Sequence, residues 1–215
     1  MSLPLRRVLS LVVAGLTLLA AGCISVDIGK DTAQQAQFRI IDGDAAPQSA
    51  ARSTGRELVV TPQPSPAVDD SFSLAYSRAP NQRAAYQFAT WSERPSSRLS
   101  QLLVDRLAAR RAFTSVALTG RGVAGDLQLN LSVNDFFHDA ASSPGTARVE
   151  VGAEMIDRAT RKLIARQSFS ATAPVTQADS AAAAAALSVA SRRVLDQLVP
   201  WVESHATPAA LASAR

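Results

Sequence analysis

Few residues in this 215-residue chain could do covalent or metal chemistry. There is one cysteine, Cys23, and there are two histidines, His138 and His205. A lone thiol can attack an electrophile, bind a metal with other ligands, pair with a second cysteine or accept an acyl group. No second cysteine exists to close a disulfide within the chain, and no C-x-x-C is present to bind a metal. His138 lies between Asp135 and Asp139, a spacing that could hold a cation loosely but that equally describes a polar strand end. A catalytic triad would need His138 and distant partners, and neither H-E-x-x-H nor G-x-S-x-G occurs. Gly120, Gly122 and Gly125 fit G-x-G-x-x-G after a predicted strand. A dinucleotide site needs a helix next, so that its N-terminus meets the pyrophosphate. The residues after Gly125 alternate in the manner of a strand instead, so the glycines read as a strand connection. No metal, no cofactor and no enzymatic activity are expected.

Cys23 gains meaning from the residues before it. Arg6 and Arg7 open a basic start, residues 8–21 are mostly apolar, and small residues end the run. This is the layout of a secretory signal peptide, too short for the roughly 20 residues that cross a bilayer. Ala20-Ala21-Gly22-Cys23 resembles the lipobox of bacterial lipoproteins, with Ala20 where leucine is usual. That resemblance implies cleavage before Cys23 and acylation of its thiol. An ordinary signal peptide that happens to hold a cysteine does not account for Gly-Cys falling where the apolar core ends. Several acyl chains, each worth about 0.8 kcal/mol per buried CH₂, would hold the chain firmly. Ile24 comes after the cysteine instead of the aspartate that resembles an inner-membrane retention signal. The expected location is the outer membrane, facing the periplasm.

Composition narrows the remainder. Removing residues 1–22 takes away two arginines and no acids, leaving 20 basic against 18 acidic residues, a charge of +2. The basic residues are scattered and only Lys30 and Lys162 are lysines, so nothing calls for nucleic acid. The expected division is a signal peptide over 1–22, a lipidated tether over 23–36, one domain over 37–203 and a tail over 204–215.

The elements that must position these groups are set by periodicity. Strands are predicted at 37–41, 57–61, 72–76 and 84–89, with 45–55 as a loop and Pro62, Pro64 and Pro66 ending the second strand. Leu99, Leu102, Leu103 and Leu107 mark one face of a helix over 96–110. A strand at 113–118 precedes near-pure alternation over 126–172, which reads as an antiparallel meander turning at 157–161. Six consecutive alanines, 181–186, favour a closing helix from Asp179 to about Val202, with Pro200 a flaw near its end. The expected fold is α+β: two helices packed on a mainly antiparallel sheet, in a single domain.

These elements form a familiar series. "FSLAYSR" and then "AAYQFATWSERPSSRLSQLLVDRLAARRAF" is similar to the ABC-type transport auxiliary lipoproteins, with Tyr76, Tyr86, Trp91, Pro95, the leucines and Phe113 at the matching points. "GDLQLNLSVNDFFHD", "TARVEVGAEMIDRATRKLIARQSF" and the alanine-rich helix ending "VPWV" continue the likeness. The segment "PSPAVDD" departs from the proline-tyrosine-leucine element of some members, which leaves the register of the first strands open. The resemblance implies an accessory lipoprotein of a transporter built from an ATPase, a permease and an MCE-domain protein that moves phospholipids or related lipids between membranes. It implies docking to the MCE-domain partner and a homo-oligomer. Two other classes fit an anchored helix-on-sheet domain: an assembly factor or plug for an outer-membrane barrel, and a lipid-anchored hydrolase using His138. Tyr76, Tyr86 and Trp91 are the candidate partner-surface residues, although a tryptophan beside a leucine-rich helix equally suits the core.

Overall fold

The computed structural model describes residues 35–43, 53–65 and 68–207. The signal peptide, Cys23, most of the tether, most of the predicted 45–55 loop and the tail after Thr207 lie outside the described residues. The strands are β1 (Ala36–Phe38), β2 (Glu57–Pro62), β3 (Ser73–Ser77), β4 (Ala84–Trp91), β5 (Ser115–Leu118), β6 (Leu127–Asp139), β7 (Thr146–Asp157) and β8 (Lys162–Pro174). The helices are α1 (Pro95–Arg110) and α2 (Ser180–His205), and a 3₁₀ turn occupies Val68–Asp70.

All eight strands join one sheet around β6. Leu127, Leu129, Leu131 and Val133 alternate along β6 and are fully buried, which fixes which of its faces lies on the core. β7 pairs antiparallel along one edge of β6 and β8 continues outward from β7. The other edge of β6 is shared. β2 pairs parallel with residues 127–131, and β3 pairs parallel with His138 and Asp139. β5 then extends the β2 wing in parallel, while β4 (antiparallel) and β1 (parallel to β4) extend the β3 wing.

The sheet is therefore mixed, which corrects the expected mainly antiparallel arrangement. Four of the pairings are parallel and only β3–β4, β6–β7 and β7–β8 are antiparallel. Alternation reports which face is buried and carries no information about strand direction. Direction comes from the connections. α1 carries the chain from the β4 wing to β5. Residues 119–126 then return across β2, because β5 and β6 flank it on opposite sides and run the same way. Thr119 N–H donates to Val60 O (2.9 Å) and Asp126 N–H to Glu57 O (3.0 Å), so both ends of the return are tied to β2. A Cβ on Gly125 would lie 2.6 Å from Val59 Cγ2. That close crossing, with φ of +60° at Gly125, is the use of the last glycine in the hexad.

α1 starts at Pro95, whose missing N–H costs nothing in the first turn. Leu99, Leu102, Leu103 and Leu107 are all buried, as their spacing predicts. The helix closes at Arg111 in the left-handed region (φ +54°), whose N–H reaches Ala108 O. α2 is capped by Asp179, whose carboxylate accepts from Ala182 N–H at 2.8 Å. Ala183, Ala184 and Ala186 are buried, so the alanine run also lets the helix lie close to β7 and β8. The helix runs through Pro200 and ends three residues beyond the expected point. Arg110 pairs with Glu203 (Nε–Oε1 2.5 Å), which joins the ends of the two helices. Arg106 of α1 bridges Asp42 and Asp196, fixing the segment after β1 to both helices. Ile40 is buried in the same place, with its carbonyl accepting from Arg98 Nε at 3.0 Å.

Candidate functional site

The residues with chemistry meet where β3 ends, β4 begins and β6 ends. Tyr76 stands opposite Ala84 on one side and His138 on the other. The Tyr76 and Tyr86 rings lie 5.0 Å apart at 54°, and Tyr86 is coplanar with His138 at a centroid distance of 6.2 Å. Tyr86 Oη lies 2.7 Å from His138 Nδ1, and His138 Nε2 lies 2.8 Å from Pro144 O. A carbonyl can only accept, so Nε2 carries the proton and Nδ1 accepts from the tyrosine. Burial, then the charges of Asp179 and Tyr76, hold the Tyr86 phenol above its ordinary value, against a lowering by Arg78. It therefore keeps the proton that it donates.

His138 points inward because of one residue. The β6–β7 register shifts at Asn134, between Val133 and Asp135. Such a bulge reverses the alternation downstream. Buried positions are odd-numbered up to Val133 and then include Phe136 and His138, the latter 1% exposed. Asp135 is carried away from His138 to Arg83 Nη2, at 3.1 Å. The sequence neighbours Asp135, His138 and Asp139 thus do not converge, and the described residues contain no group of three or more potential ligands. Both ring nitrogens of His138 are already engaged, Nδ1 by Tyr86 and Nε2 by Pro144 O. The arrangement is a lock. It ties β4 to β6 and to the 140–145 loop. Gly145 (φ +91°) completes it, with room for no Cβ: one would collide with Asp139 O and lie 2.5 Å from His138 Nε2. Val175 N–H donates to Gly145 O at 3.1 Å, linking the loop to the entry of α2.

A second constellation was not foreseen from the sequence. Asp69, 3% exposed, accepts from Arg83 Nε (3.0 and 3.2 Å) and lies 3.4 Å from Phe136 N. Arg83 also stacks 3.5 Å over the Phe137 ring. Asp70 accepts from Ser96 N–H at 2.8 Å, capping α1 from a distant segment because Arg94 at the N-cap position makes no side-chain cap. The "VDD" of the segment that departs from the proline-tyrosine-leucine element is what seats α1 and the β3 wing. Two adjacent aspartates just before an apolar strand were the available signal, and their partners lie too far along the chain for spacing to reveal.

Trp91 is 2% exposed and packs edge-to-face on Phe136 (5.5 Å, 70°), so it is a core residue and not a partner-surface one. Its indole N–H has no hydrogen-bond partner among the described residues. Tyr76 and Tyr86 are half-buried, with Arg78 lying 5.2 Å over the Tyr76 ring. Phe72, included in the predicted strand over 72–76, lies just before β3 and is 52% exposed. Phe88 is 50% exposed in β4. Cys23 lies outside the described residues.

Residues 39–199 match the family model described as the ABC-type transport auxiliary lipoprotein component. Among solved structures, the fold is similar to protein XCC0632 from Xanthomonas campestris: 22% identity over 79% of this chain and 94% of that one, with a TM-score of 0.66. A second, uncharacterised protein covers 79% of this chain and 99% of its own at 11% identity and a TM-score of 0.59. At these identities the likeness shows the fold. No curated protein matches the chain.

Proposed function

Because the chain belongs to the ABC-type transport auxiliary lipoprotein family, we propose that it is the lipid-anchored, non-catalytic accessory component of an MCE-type transporter. It moves no lipid by itself. It would sit on the periplasmic side of the outer membrane, held by acylated Cys23, and dock the MCE-domain protein that carries phospholipids or related lipids between membranes. The observation that carries this reading is the family match over 39–199 behind a lipobox that ends at the chain's one cysteine. The locked state of His138 supports a binding role over a catalytic one. The half-buried tyrosines Tyr76 and Tyr86 are the side chains we assign to the partner surface, since amphipathic rings suit contacts that are part apolar and part wet. A homo-oligomer would present several copies of that surface at once.

Crosslinking in intact cells and subsequent purification test the partner. An MCE-domain protein is the expected product, and recovery of an outer-membrane barrel in its place would refute the proposal. Replacing Cys23→Ser tests the anchor: the protein should leave the membrane fraction, and continued tight attachment would contradict acylation.

A further inference from the structure

We propose that the wing formed by β1, β4 and β3 rests on the lipid surface to which the chain is anchored, with Phe72 and Phe88 at the contact. The inference rests on the acylation of Cys23 proposed above. Among the described residues, the large apolar side chains left substantially in solvent are Ile41, Phe72, Phe88 and Leu163. Both phenylalanines belong to one wing. Phe88 adjoins Ala89, which pairs with Ala36, the first residue of β1. Phe72 O accepts from Trp91 N–H at 2.7 Å, and Phe38 pairs with Trp91 from the other side. The strand by which the tether enters the domain is therefore the immediate neighbour of the strand that carries Phe88, and Phe72 lies one strand further in.

Covalent reach keeps the entry strand β1 near the anchor. Twelve peptide steps separate Cys23 from Gln35, which span at most about 40 Å. Cations stand beside the rings. The Arg94 guanidinium lies 5.7 Å over the Phe72 ring, and Arg39, directly after β1, is mostly exposed and paired with Glu93. Aromatic rings flanked by arginine are the composition of an interfacial contact with lipid headgroups. The outer edge of β4 before Ala89 pairs with no described strand, so water and headgroups can reach its backbone. Two half-exposed rings would hold a free protein to a membrane only weakly. A tether removes that requirement, because it fixes the local concentration of the wing at the surface. Leu163 provides the contrast: it is equally exposed, but it lies in β8, at the opposite end of the sheet from β1.

Acylation of the only cysteine makes the test site-specific, since an introduced cysteine is then the one free thiol. Full-length acylated Phe72→Cys, Phe88→Cys and Leu163→Cys proteins are labelled with bimane. They are reconstituted in phosphatidylethanolamine–phosphatidylglycerol vesicles containing a shallow nitroxide-labelled lipid. Quenching at positions 72 and 88 should exceed that at 163 several-fold. Equal quenching at all three positions overturns the proposal. So does shielding of position 88 that grows with protein concentration and is indifferent to the nitroxide, which would assign the wing to a second copy. If the unsubstituted protein takes label and fails to float with vesicles, the anchor itself is refuted, and the wing proposal falls with it for that separate reason.

Discussion

Gly145 is the residue whose replacement most directly tests the lock around His138. Two costs are expected for Gly145→Ala. A φ of +91° disfavours any L side chain, by about 1–2 kcal/mol. In addition, the new methyl would overlap the Asp139 backbone oxygen and lie 2.5 Å from the His138 ring. Relieving such an overlap in a packed region costs about 1–3 kcal/mol. The total is about 2–5 kcal/mol. Gly120→Ala provides the internal reference, because its φ is +81° and a Cβ there would meet nothing within 4 Å. It should lose only the backbone part, about 1–2 kcal/mol. Urea unfolding monitored by circular dichroism measures both. In thermal unfolding each kcal/mol should lower Tm by about 2–4 °C for a chain of this size. Equal losses in the two variants, or a larger loss at Gly120, would refute the claim that the 140–145 loop is held against His138 by close contact.

The other predictions concern hydrogen bonds and charge. Tyr86→Phe keeps the ring beside Tyr76 but leaves His138 Nδ1 without its donor, and should cost about 1–3 kcal/mol by chemical denaturation. Because Tyr86 is held above the ordinary tyrosine value, the unfolded chain ionises there first. Stability should therefore fall as the pH rises past about 10, and a pH series of melts should show a shallower decline in Tyr86→Phe. Asp157 behaves in the opposite sense. The Thr160 N–H bond holds its carboxyl below the usual range, so its contribution is present at neutral pH and is lost as the pH falls through that lowered value. Asp157→Asn should flatten the acid limb of the same series. Asp70→Ala removes the side-chain acceptor of Ser96 N–H at the first turn of α1. It should cost about 1–2 kcal/mol, and hydrogen exchange should show the added opening concentrated in residues 95–99.

The sequence made the elements legible wherever burial is one-sided. The leucines of α1 and the first half of β6 announce their buried faces directly, and both faces are as their spacing predicts. Three things escaped. Strand direction escaped because alternation is blind to it, so the parallel neighbours of β2 went unseen. The inward turn of His138 escaped because it depends on a single extra residue, Asn134. The sign of that residue is visible in retrospect: the apolar positions of "LQLNLSVNDFF" change phase after Val133. The roles of Asp69 and Asp70 escaped because their partners, Arg83, Phe136 and Ser96, are 14 to 67 residues away. Tyr76 and Tyr86 were picked out for their place in a series of elements. Their joint contact with His138 is a product of the β3–β6 pairing and not of anything local.

The shared edge of β6 has a kinetic consequence. β2 and β3 are made early, yet the strand on which both lie parallel begins only at Leu127. Neither wing can be completed locally, and closing such long loops is slow. β6, β7 and β8, by contrast, are joined by short turns and can form as a meander on their own. Folding is therefore expected to run against the order of synthesis, with the C-terminal meander as the template onto which the earlier strands are added. Substitutions in β6 and β7 should slow folding, whereas those in β2 and β3 should chiefly hasten unfolding. Until residue 139 is available, the two N-terminal wings lack the strand that joins them, and the partly folded chain depends on whatever keeps such chains apart.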